Sequence, residues 1–341
     1  MIEPIQFFKT AALVWLASGF SPAVLAGDSY LDRLESWLAQ QGYGDGLLIR
    51  QVVVFGDGDP ANGVEDNRIG FSSPGWNQAE LEPLNKSAGT IQCDGKVRGS
   101  ATILDVSEFH AAPHGMILAT AAHVLLDLDT GNPFRNCNFH YLGLTGRRDR
   151  GRIDLEQSVQ GNFDFHRPRN SPEFGRQDWA FLHVPENIPA AAQSGGIRPR
   201  AFSVMADKAG ARYGLIGFSL AHGEVGISLD CQVRESVPGD IGGGSWPGQL
   251  LDDCDSTEGA SGGGLIAWIA DEQFIVGVRN GSHWDDDVFP VGEYPGGPPA
   301  GSLWNVHTST NFSRAIDAGM LLALRKFLAE IEHNARRNHV D

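Results

Sequence analysis

A glycine-rich stretch around one serine is the part of the chain best suited to chemistry. Residues 254–265 read Cys-Asp-Ser-Thr-Glu-Gly-Ala-Ser-Gly-Gly-Gly-Leu, and Ser261 is the hydroxyl among the glycines. Because glycine has no Cβ, the backbone can turn tightly there and bring its N–H groups close to a ligand. A hydroxyl beside the amides of Gly259 and Ser261 provides the nucleophile and the oxyanion hole that acyl transfer needs. By itself, the stretch is equally consistent with a turn that holds an incidental serine.

A histidine and an aspartate elsewhere in the chain can supply the groups that such a serine needs. A serine hydroxyl requires a base to remove its proton, and the base requires a group that holds its tautomer. His123 ends the apolar run 116–122, and Asp178 begins the strand-like run 178–182. Singly, His123 could be a core histidine and Asp178 a turn residue. Together with Ser261 they predict a catalytic triad.

Three short blocks around these residues resemble the signature blocks of trypsin-like (chymotrypsin-fold) serine proteases, in that family's order of His, Asp and Ser. The blocks are Thr120–His123, Asp178–Leu182 and Gly259–Gly263. Residues 214–218, 254–257 and 276–281 resemble the bacterial branch that includes glutamyl endopeptidases. The resemblance covers roughly residues 85–330 and implies an all-β fold. That fold has two six-stranded antiparallel β-barrels of the chymotrypsin type and a C-terminal α-helix.

The resemblance also implies a division of the chain. We expect a signal peptide at 1–26, a prosegment with the strand that leads into the domain at 27–68, and the protease domain at 69–341. Within that domain, we expect the first barrel at about 85–190, the second at about 200–312 and the C-terminal helix at 313–332. The 43 glycines favour a turn-rich β architecture. The helix prediction rests on an apolar stripe with helical spacing that runs from Ile316 to Ile331.

The N-terminal residues are typical of a protein that leaves the cytoplasm. An uncharged run from Thr10 to Gly27 follows Lys9, which predicts a cleaved signal peptide, with a membrane anchor as the alternative. Residues 29–41 have the spacing of a short amphipathic helix. Arg68-Ile69-Gly70 resembles an activation cleavage site of a zymogen, and Arg50-Gln51 is a second candidate. Ala260 stands where trypsin has the acid that receives a new N-terminus, so that activation switch is missing.

Four cysteines fit an oxidising compartment, either extracellular or periplasmic. Four cysteines allow three pairings, and spacing alone does not select among them. The family resemblance implies one bridge between Cys93 and Cys137 and a second between Cys231 and Cys254. Such a pairing would be typical of a secreted protease.

Substrate specificity in this family depends on the pocket for the P1 side chain, the residue before the cleaved bond. By resemblance, Asp255 and Ser256 lie at the base of that pocket, where a carboxylate favours Arg or Lys at P1. Related glutamyl endopeptidases have a histidine near the position of Arg279. Arg279 could therefore neutralise Asp255 or bind an acidic P1 side chain. Gly281 completes the predicted pocket.

The remaining features exclude several classes of partner. A net charge of −16 argues against a nucleic-acid partner. The family resemblance implies polypeptide substrates, and we expect a monomer with no stable membrane association. We expect no cofactor and no metal, since Pro113 separates His110 from His114 and residues 127–132 lack a full calcium ligand set. The alternative to an enzyme is a catalytically silent homologue that binds peptides or proteins. An esterase of the nucleophile-elbow type would have its acid before its histidine.

Overall fold

The computed structural model describes residues 54–55, 68–70, 78–109, 114–127, 130–141, 149–164, 175–185, 196–206, 208–219, 223–240, 246–285, 287–290 and 302–338. The predicted signal peptide, the predicted helix at 29–41 and the candidate cleavage site Arg50-Gln51 lie outside these residues. Both sheets and the C-terminal helix belong to one unit that spans Leu48–Asp341.

Strands dominate the described part of the chain. In chain order they are β1 (Arg68–Gly70), β2 (Ala88–Cys93), β3 (Lys96–Ile103), β4 (Met116–Thr120), β5 (Cys137–Tyr141), β6 (Asp149–Arg152), β7 (Asp154–Gln160), β8 (Ala180–Val184), β9 (Arg198–Pro199), β10 (Arg212–Ser219), β11 (Glu224–Ser228), β12 (Val233–Glu235), β13 (Gln249–Asp252), β14 (Gly264–Ile269), β15 (Glu272–Trp284) and β16 (Ser309–Ala315).

The first sheet has the strand order β6-β5-β2-β3-β4-β8-β7 and is antiparallel throughout. Its centre is the β4–β8 pair, which runs in register from Met116↔Val184 to Thr120↔Ala180. Every residue of both strands is buried, as expected for short apolar runs covered on both faces. The sheet therefore brings the end of β4 beside the start of β8, where the His and Asp blocks lie.

The second sheet has the strand order β1-β11-β10-β14-β15-β16-β13-β12, and β9 pairs with β15 in parallel. Its core contains apolar side chains from β10, β13, β14 and β15, with both sulfurs of one disulfide among them. Buried members of this cluster are Leu215, Cys231, Leu250, Cys254, Leu265, Phe274 and Val276. These strands hold the serine loop between β13 and β14.

The expected architecture is confirmed: two antiparallel sheets form barrel-like units, followed by a C-terminal helix. The strand count differs from the expectation, because within the described residues the sheets contain seven and nine strands rather than six each. Short edge strands account for part of the difference. β1 extends the second sheet by pairing with β11, and β9 adds a two-residue parallel pairing to β15.

Three helices lie among the described residues: α1 (Gln78–Asn85), α2 (Phe202–Met205) and α3 (Ala318–Asn338). The prediction of a helix at 313–332 was wrong at its start, because Ser313–Ala315 end β16 and pair with β15, and with β13 as far as Arg314. Asp317 begins α3 instead, since its Oδ1 accepts the Met320 N–H at 2.9 Å. The predicted apolar stripe does face the core, at Met320, Leu324, Phe327, Leu328 and Ile331. Among the described helices, none is long and apolar enough to cross a membrane.

Two disulfides cross-link the molecule, one in each half. Cys93–Cys137 joins β2 to β5 and encloses the His123 segment, with a sequence separation of 44 residues. Cys231–Cys254 has a separation of 23 residues and ends at the serine loop. On the loop-entropy model, each bridge stabilises the fold by roughly 3 to 4 kcal/mol.

Candidate active site

His123 and Asp178 are in direct contact. His123 lies in a 3-10 turn, Ala122–Leu125, that follows β4, and Asp178 precedes β8. The ring Nδ1 of His123 lies 2.7 Å from Asp178 Oδ2, and the His123 backbone N–H donates to Asp178 Oδ1 at 2.9 Å. Asp178 is fully buried, while 14% of the His123 side chain is exposed. The carboxylate thus fixes both the backbone and the ring of His123, which leaves Nε2 as the nitrogen that can take a proton.

We call residues 254–263 the nucleophile loop. Gly259 and Gly262 in this loop have φ angles of +91° and +84°, a conformation that side chains strongly disfavour. Space is also short, because a Cβ on Gly262 would lie 2.1 Å from Thr120 Oγ1. A Cβ on Gly259 would lie 2.7 Å from a ring carbon of Phe218. The glycines therefore allow the loop to approach both sheets closely.

Ser100, on β3 of the first sheet, holds the nucleophile loop in place. Its N–H donates to the Ser261 carbonyl at 2.6 Å, and its hydroxyl donates to the Gly259 carbonyl at 2.6 Å. The same hydroxyl accepts the Phe218 N–H from β10 at 2.7 Å. The Ser100 carbonyl accepts the Thr120 hydroxyl at 2.8 Å, just ahead of the His123 turn. Ser100 thus joins the nucleophile loop to both sheets.

Ser261 lies beside the turn that carries His123. A Cβ on Gly99 would meet the Ser261 carbonyl at 2.5 Å and the side chain of Val124 at 2.7 Å. Among the residues that the structure describes, no hydrogen bond joins the Ser261 hydroxyl to the His123 ring. In proteases without substrate such bonds are often long, and they tighten when the substrate is bound.

The N–H groups of the nucleophile loop fall into two sets. The N–H groups of Ala260, Gly262 and Gly263 donate to protein carbonyls at 2.7–3.0 Å. Within the described part of the chain, the N–H groups of Gly259 and Ser261 donate to no protein acceptor. Two unused donors beside a hydroxyl fit the predicted oxyanion hole.

Asp255 lies six positions before the predicted nucleophile and is buried, with 2% of its surface exposed. Its Oδ1 accepts the backbone N–H of Phe55 at 2.7 Å, and its own N–H donates to the Ser228 hydroxyl at 2.9 Å. The neighbouring Ser256 is also buried, at 1% exposed, and its hydroxyl has no hydrogen-bond partner among the described residues. Both predicted pocket residues are thus buried parts of the nucleophile loop itself.

Among the described residues, Arg279 forms its ion pair with a different aspartate from the predicted Asp255. Its guanidinium forms a buried ion pair with Asp252, with 2.6 Å between Nη2 and Oδ1, and it also donates to the Phe312 carbonyl at 3.0 Å. Burial raises the pKa of Asp252, and the charge of Arg279 opposes that rise. The Arg279 guanidinium therefore has its partners in the core of the second sheet. Gly281, by contrast, faces open space, since a Cβ there would have no atom within 4 Å.

Two carboxyl groups of the nucleophile region have raised pKa values. Burial raises the pKa of Glu258 to about 7. Burial is also the main cause that raises the pKa of Asp253 to about 6, and the charge of Asp252 adds to it. Glu258 directly precedes Gly259 in the chain, so a carboxyl with a raised pKa belongs to the same loop as the unused N–H groups.

Sequence reasoning missed the residues that support the nucleophile loop from a distance: Phe55, Arg68, Ser100, Thr120 and Ser228. Ser100 contacts the loop through both its N–H and its hydroxyl, while the other four use one polar contact each to the loop or its neighbours. No spacing rule connects such residues, so only the fold reveals them. Among the described residues, no cluster of three His, Cys, Asp or Glu side chains is arranged to hold a metal ion.

No protein-family model and no curated protein sequence matches this chain. Solved structures of similar architecture include a Glu endopeptidase in complex with MPD, with a TM-score of 0.49 and 14% identity over 81% of this chain and 100% of that one. Protease Anisep from Arthrobacter nicotinovorans has a TM-score of 0.46 and 14% identity over 72% and 96%. The thermostable serine protease AL20 from an extremophilic microorganism has a TM-score of 0.45 and 15% identity over 73% and 99%. At such values the matches do not bear on which residues of this chain do chemistry.

Proposed function

We propose that this chain is a serine endopeptidase that hydrolyses peptide bonds through His123, Asp178 and Ser261. The observation that supports this most strongly is the double contact of Asp178 with His123, at 2.7 Å and 2.9 Å, next to the glycine-rich loop that carries Ser261. A fully buried carboxylate that orients one imidazole is the arrangement that a serine nucleophile requires.

The proposed reaction is acyl transfer in two steps. In the first, the Ser261 oxygen attacks the carbonyl carbon of the substrate while His123 Nε2 takes the hydroxyl proton. The proton then passes to the leaving amine as the peptide bond breaks, which leaves an ester on Ser261. In the second step, water attacks that ester and gives its proton to His123, and Ser261 recovers its hydroxyl. Asp178 stabilises the charged ring in both steps.

The Gly259 and Ser261 amides would stabilise the negative oxygen that forms in each step. Loss of one such donor typically lowers the rate by about 100-fold or more. The hydrogen bonds from Ser100 hold the carbonyls of these same two residues. This contact supports an oxyanion site that is formed before substrate binds.

For specificity, we propose Arg or Lys at P1, with Asp255 as the charge that selects them. Ser282 and Ser309 support a polar pocket, since their hydroxyls are buried and have no hydrogen-bond partner among the described residues. The β15–β16 register places Ser282 and Ser309 on one face of the sheet, together with Trp284. Trp284 packs against Phe55, whose N–H donates to Asp255. Buried hydroxyls without a partner are rare in folded proteins and suit a pocket that binds a polar ligand.

We further propose that the protein is exported through a signal peptide at 1–26 and acts as a monomer on polypeptide substrates. Two disulfides and the absence of a free cysteine among the described residues fit an oxidising compartment. Mass spectrometry of the exported protein tests this, because a chain that begins at residue 1 would contradict export by signal cleavage.

Labelling with a fluorophosphonate tests the enzymatic proposal directly. The probe should modify Ser261, and both Ser261→Ala and His123→Ala should abolish the labelling while the melting temperature stays close to that of the unmodified chain. A panel of peptides that differ only at P1 then tests specificity. Cleavage only after Glu would contradict the role given to Asp255.

A second candidate function is a catalytically silent homologue that binds peptides. The observation that favours it is the lack of a hydrogen bond between the Ser261 hydroxyl and the His123 ring. A folded, disulfide-bonded preparation that binds peptides but shows neither labelling nor turnover would support this candidate over the enzyme.

A further inference from the structure

Three contacts connect the segment before Ile69 to the nucleophile loop. The Phe55 N–H donates to Asp255 Oδ1 at 2.7 Å. The Arg68 guanidinium donates to the Thr257 hydroxyl at 2.5 Å. The backbone of Arg68 is paired with Ser228, whose hydroxyl accepts the Asp255 N–H at 2.9 Å. All three contacts end on Asp255 or Thr257, that is, on a predicted pocket residue or just before the predicted oxyanion glycine, Gly259.

The contact made by Phe55 is part of a packed core. Phe55 is 2% exposed, and its ring packs in a cluster with Trp284, Phe289 and Trp304. Its N–H bonds a carboxylate that is itself 2% exposed. If Phe55 were removed, this oxygen of Asp255 would lose a donor and the aromatic cluster would lose a member. Loss of a hydrogen bond to a buried carboxylate and loss of a buried ring are both costly.

The contact made by Arg68 lies at the edge of the second sheet. The guanidinium spans two hydroxyls, since it also donates to Ser219 at 3.1 Å, and the two hydroxyls lie 3.0 Å from each other. The Arg68–Ile69 bond is inside β1, where both residues pair with β11. A Cβ on Gly70 would lie 1.8 Å from a carboxylate oxygen of Glu224, so the strand is closely packed. A protease would have to pull β1 out of the sheet before it could cut this bond.

We propose that Phe55 and Arg68 are permanent parts of the enzyme that position the nucleophile loop, and that the active form keeps both residues. These two residues then take the place of the activation switch that is missing because Ala260 is not an acid: the Phe55 amide and the Arg68 guanidinium supply the contacts to the loop. This inference rests on the proposed endopeptidase function. Of the two cleavage sites suggested by the sequence, it is compatible with Arg50-Gln51, which lies before Phe55, and it excludes cleavage at Arg68-Ile69.

Mass spectrometry of the fluorophosphonate-labelled protein is the first test. The full chain is expressed with its export signal, reacted with the probe and sequenced from the N-terminus. We expect the labelled species to begin upstream of Phe55. A labelled species that begins at Ile69 overturns the inference and leaves the endopeptidase intact. A complete lack of label contradicts the endopeptidase itself, so the two failures are distinguishable.

Substitutions at Arg68 are the second test. Arg68→Ala should lower the rate of labelling per folded molecule on the order of 10-fold, because a charged donor to the loop is lost. Arg68→Lys should recover part of the rate, since an ammonium can still donate to Thr257. Arg212→Ala is the matched control: Arg212 is an exposed arginine on β10 whose ion pair with Asp230 lies at the surface. If Arg68→Ala lowers only the melting temperature and labels at the rate of the control, the positioning role is overturned.

The third test isolates the amide of Phe55. Phe55→Pro and Phe55→Ala both remove the ring, but only the proline removes the N–H that bonds Asp255. We expect a larger rise in KM for peptides with Arg at P1 in the proline variant, on the order of 10-fold beyond the alanine variant. Equal KM values in the two variants would show that the amide has no role in the pocket. Should neither variant fold, the N-terminal sequence and the Arg68 series still decide the inference.

Discussion

The two sheets hold their halves of the candidate site in different ways. In the first sheet, His123 and Asp178 bond directly to each other at the ends of strands that are paired in register. In the second, the nucleophile loop depends on residues far along the chain, including Phe55, Arg68 and Ser100. The acid–base half is thus complete within one sheet, whereas the nucleophile half is assembled from three separate segments.

This difference has a consequence for the effect of substitutions. An isosteric change in the His123–Asp178 pair should affect chemistry far more than stability, because it keeps the buried shape and alters only the acid–base groups. A change that affects the nucleophile loop should alter stability and chemistry together, because the same contacts hold the fold and orient the loop. Four substitutions separate these two cases.

The largest effect is expected from Asp178→Asn. The amide has the shape of the carboxylate but cannot hold the His123 ring in the tautomer that accepts the serine proton. We expect kcat to fall on the order of 10⁴-fold, with a small change in melting temperature. Assays with a peptide substrate measure kcat, and thermal unfolding measures the melting temperature.

Asp240→Asn is the matched control for this prediction. Asp240 is also buried, at 2% exposed, but it pairs with Arg234 on β12. Its replacement should lower the melting temperature and leave kcat within a factor of about 2, because the residue lies outside the candidate site. If the two variants lost activity equally, the separation between the halves would not hold.

Arg279→Met should have the second largest effect, and we expect it mainly in the free energy of unfolding. It leaves the buried Asp252 carboxylate without its guanidinium, which typically costs about 3–5 kcal/mol. Loss of the positive charge raises the pKa of Asp252 further, so the carboxyl takes up a proton as the pH falls. The destabilisation should therefore be larger at pH 7 than at pH 4, as measured by urea unfolding.

The double variant Asp252→Asn with Arg279→Met is the control. It removes the buried charge along with its partner, so it should recover part of the lost stability at pH 7. A double variant less stable than Arg279→Met at neutral pH would contradict the role of the ion pair.

The same contrast explains how much could be predicted from the sequence. Asp178 and His123 sit at the ends of apolar runs that read as strands, so their residue types and their contact could be inferred together. The fold class and both disulfides followed from the same resemblance. The partner of Arg279 could not be predicted, because Asp252 and Asp255 are equally plausible by sequence distance. Both are buried, so the register of β13, β16 and β15 decides between them by bringing Asp252 to Arg279.

The start of the C-terminal helix illustrates the same limit. Residues 313–316 continue the helical apolar spacing, yet pairing with two neighbouring strands keeps residues 313–315 in β16. Local pattern cannot predict that competition, because the strand partners lie more than 30 residues earlier in the chain. Tertiary pairing overrides a local preference of this kind.

Ser100→Ala should have an intermediate effect on both stability and rate. The substitution removes the hydroxyl that bonds the Gly259 carbonyl and the Phe218 N–H. Two backbone groups then lose a hydrogen bond, at a cost of roughly 1–3 kcal/mol for a buried group. We expect a lower melting temperature and a kcat reduced on the order of 10-fold.

Ser158→Ala is the matched control for Ser100→Ala. Its hydroxyl bonds only the Leu155 carbonyl within β7, outside the candidate site. It should leave kcat unchanged within error. An unchanged kcat for Ser100→Ala as well would show that the loop keeps its shape without this contact.

The smallest effect is expected from Glu258→Gln, and it depends on pH. Burial raises the pKa of Glu258 to about 7 in the folded protein, above its usual value of 4.5, so the folded protein binds this proton more tightly than the unfolded chain. Its stabilising contribution is complete below about pH 4.5 and is lost as the pH rises through 7. Glutamine cannot ionise and keeps the neutral form throughout. The variant should therefore gain in melting temperature relative to the parent between pH 4.5 and 8, by about 2–4 °C for each 1 kcal/mol.

The value of kcat should also change as Glu258 ionises. An ionised Glu258 adds a negative charge to the nucleophile loop one residue before Gly259, and a like charge in the same loop as the oxyanion opposes the transition state. The parent should lose kcat relative to Glu258→Gln as the pH rises above 7, while Glu156→Gln, an exposed change on β7, controls for net charge. If the ratio of kcat values stays constant with pH, the carboxyl does not act on the oxyanion site. The raised pKa of Glu258 would then be only a consequence of its burial in the nucleophile loop.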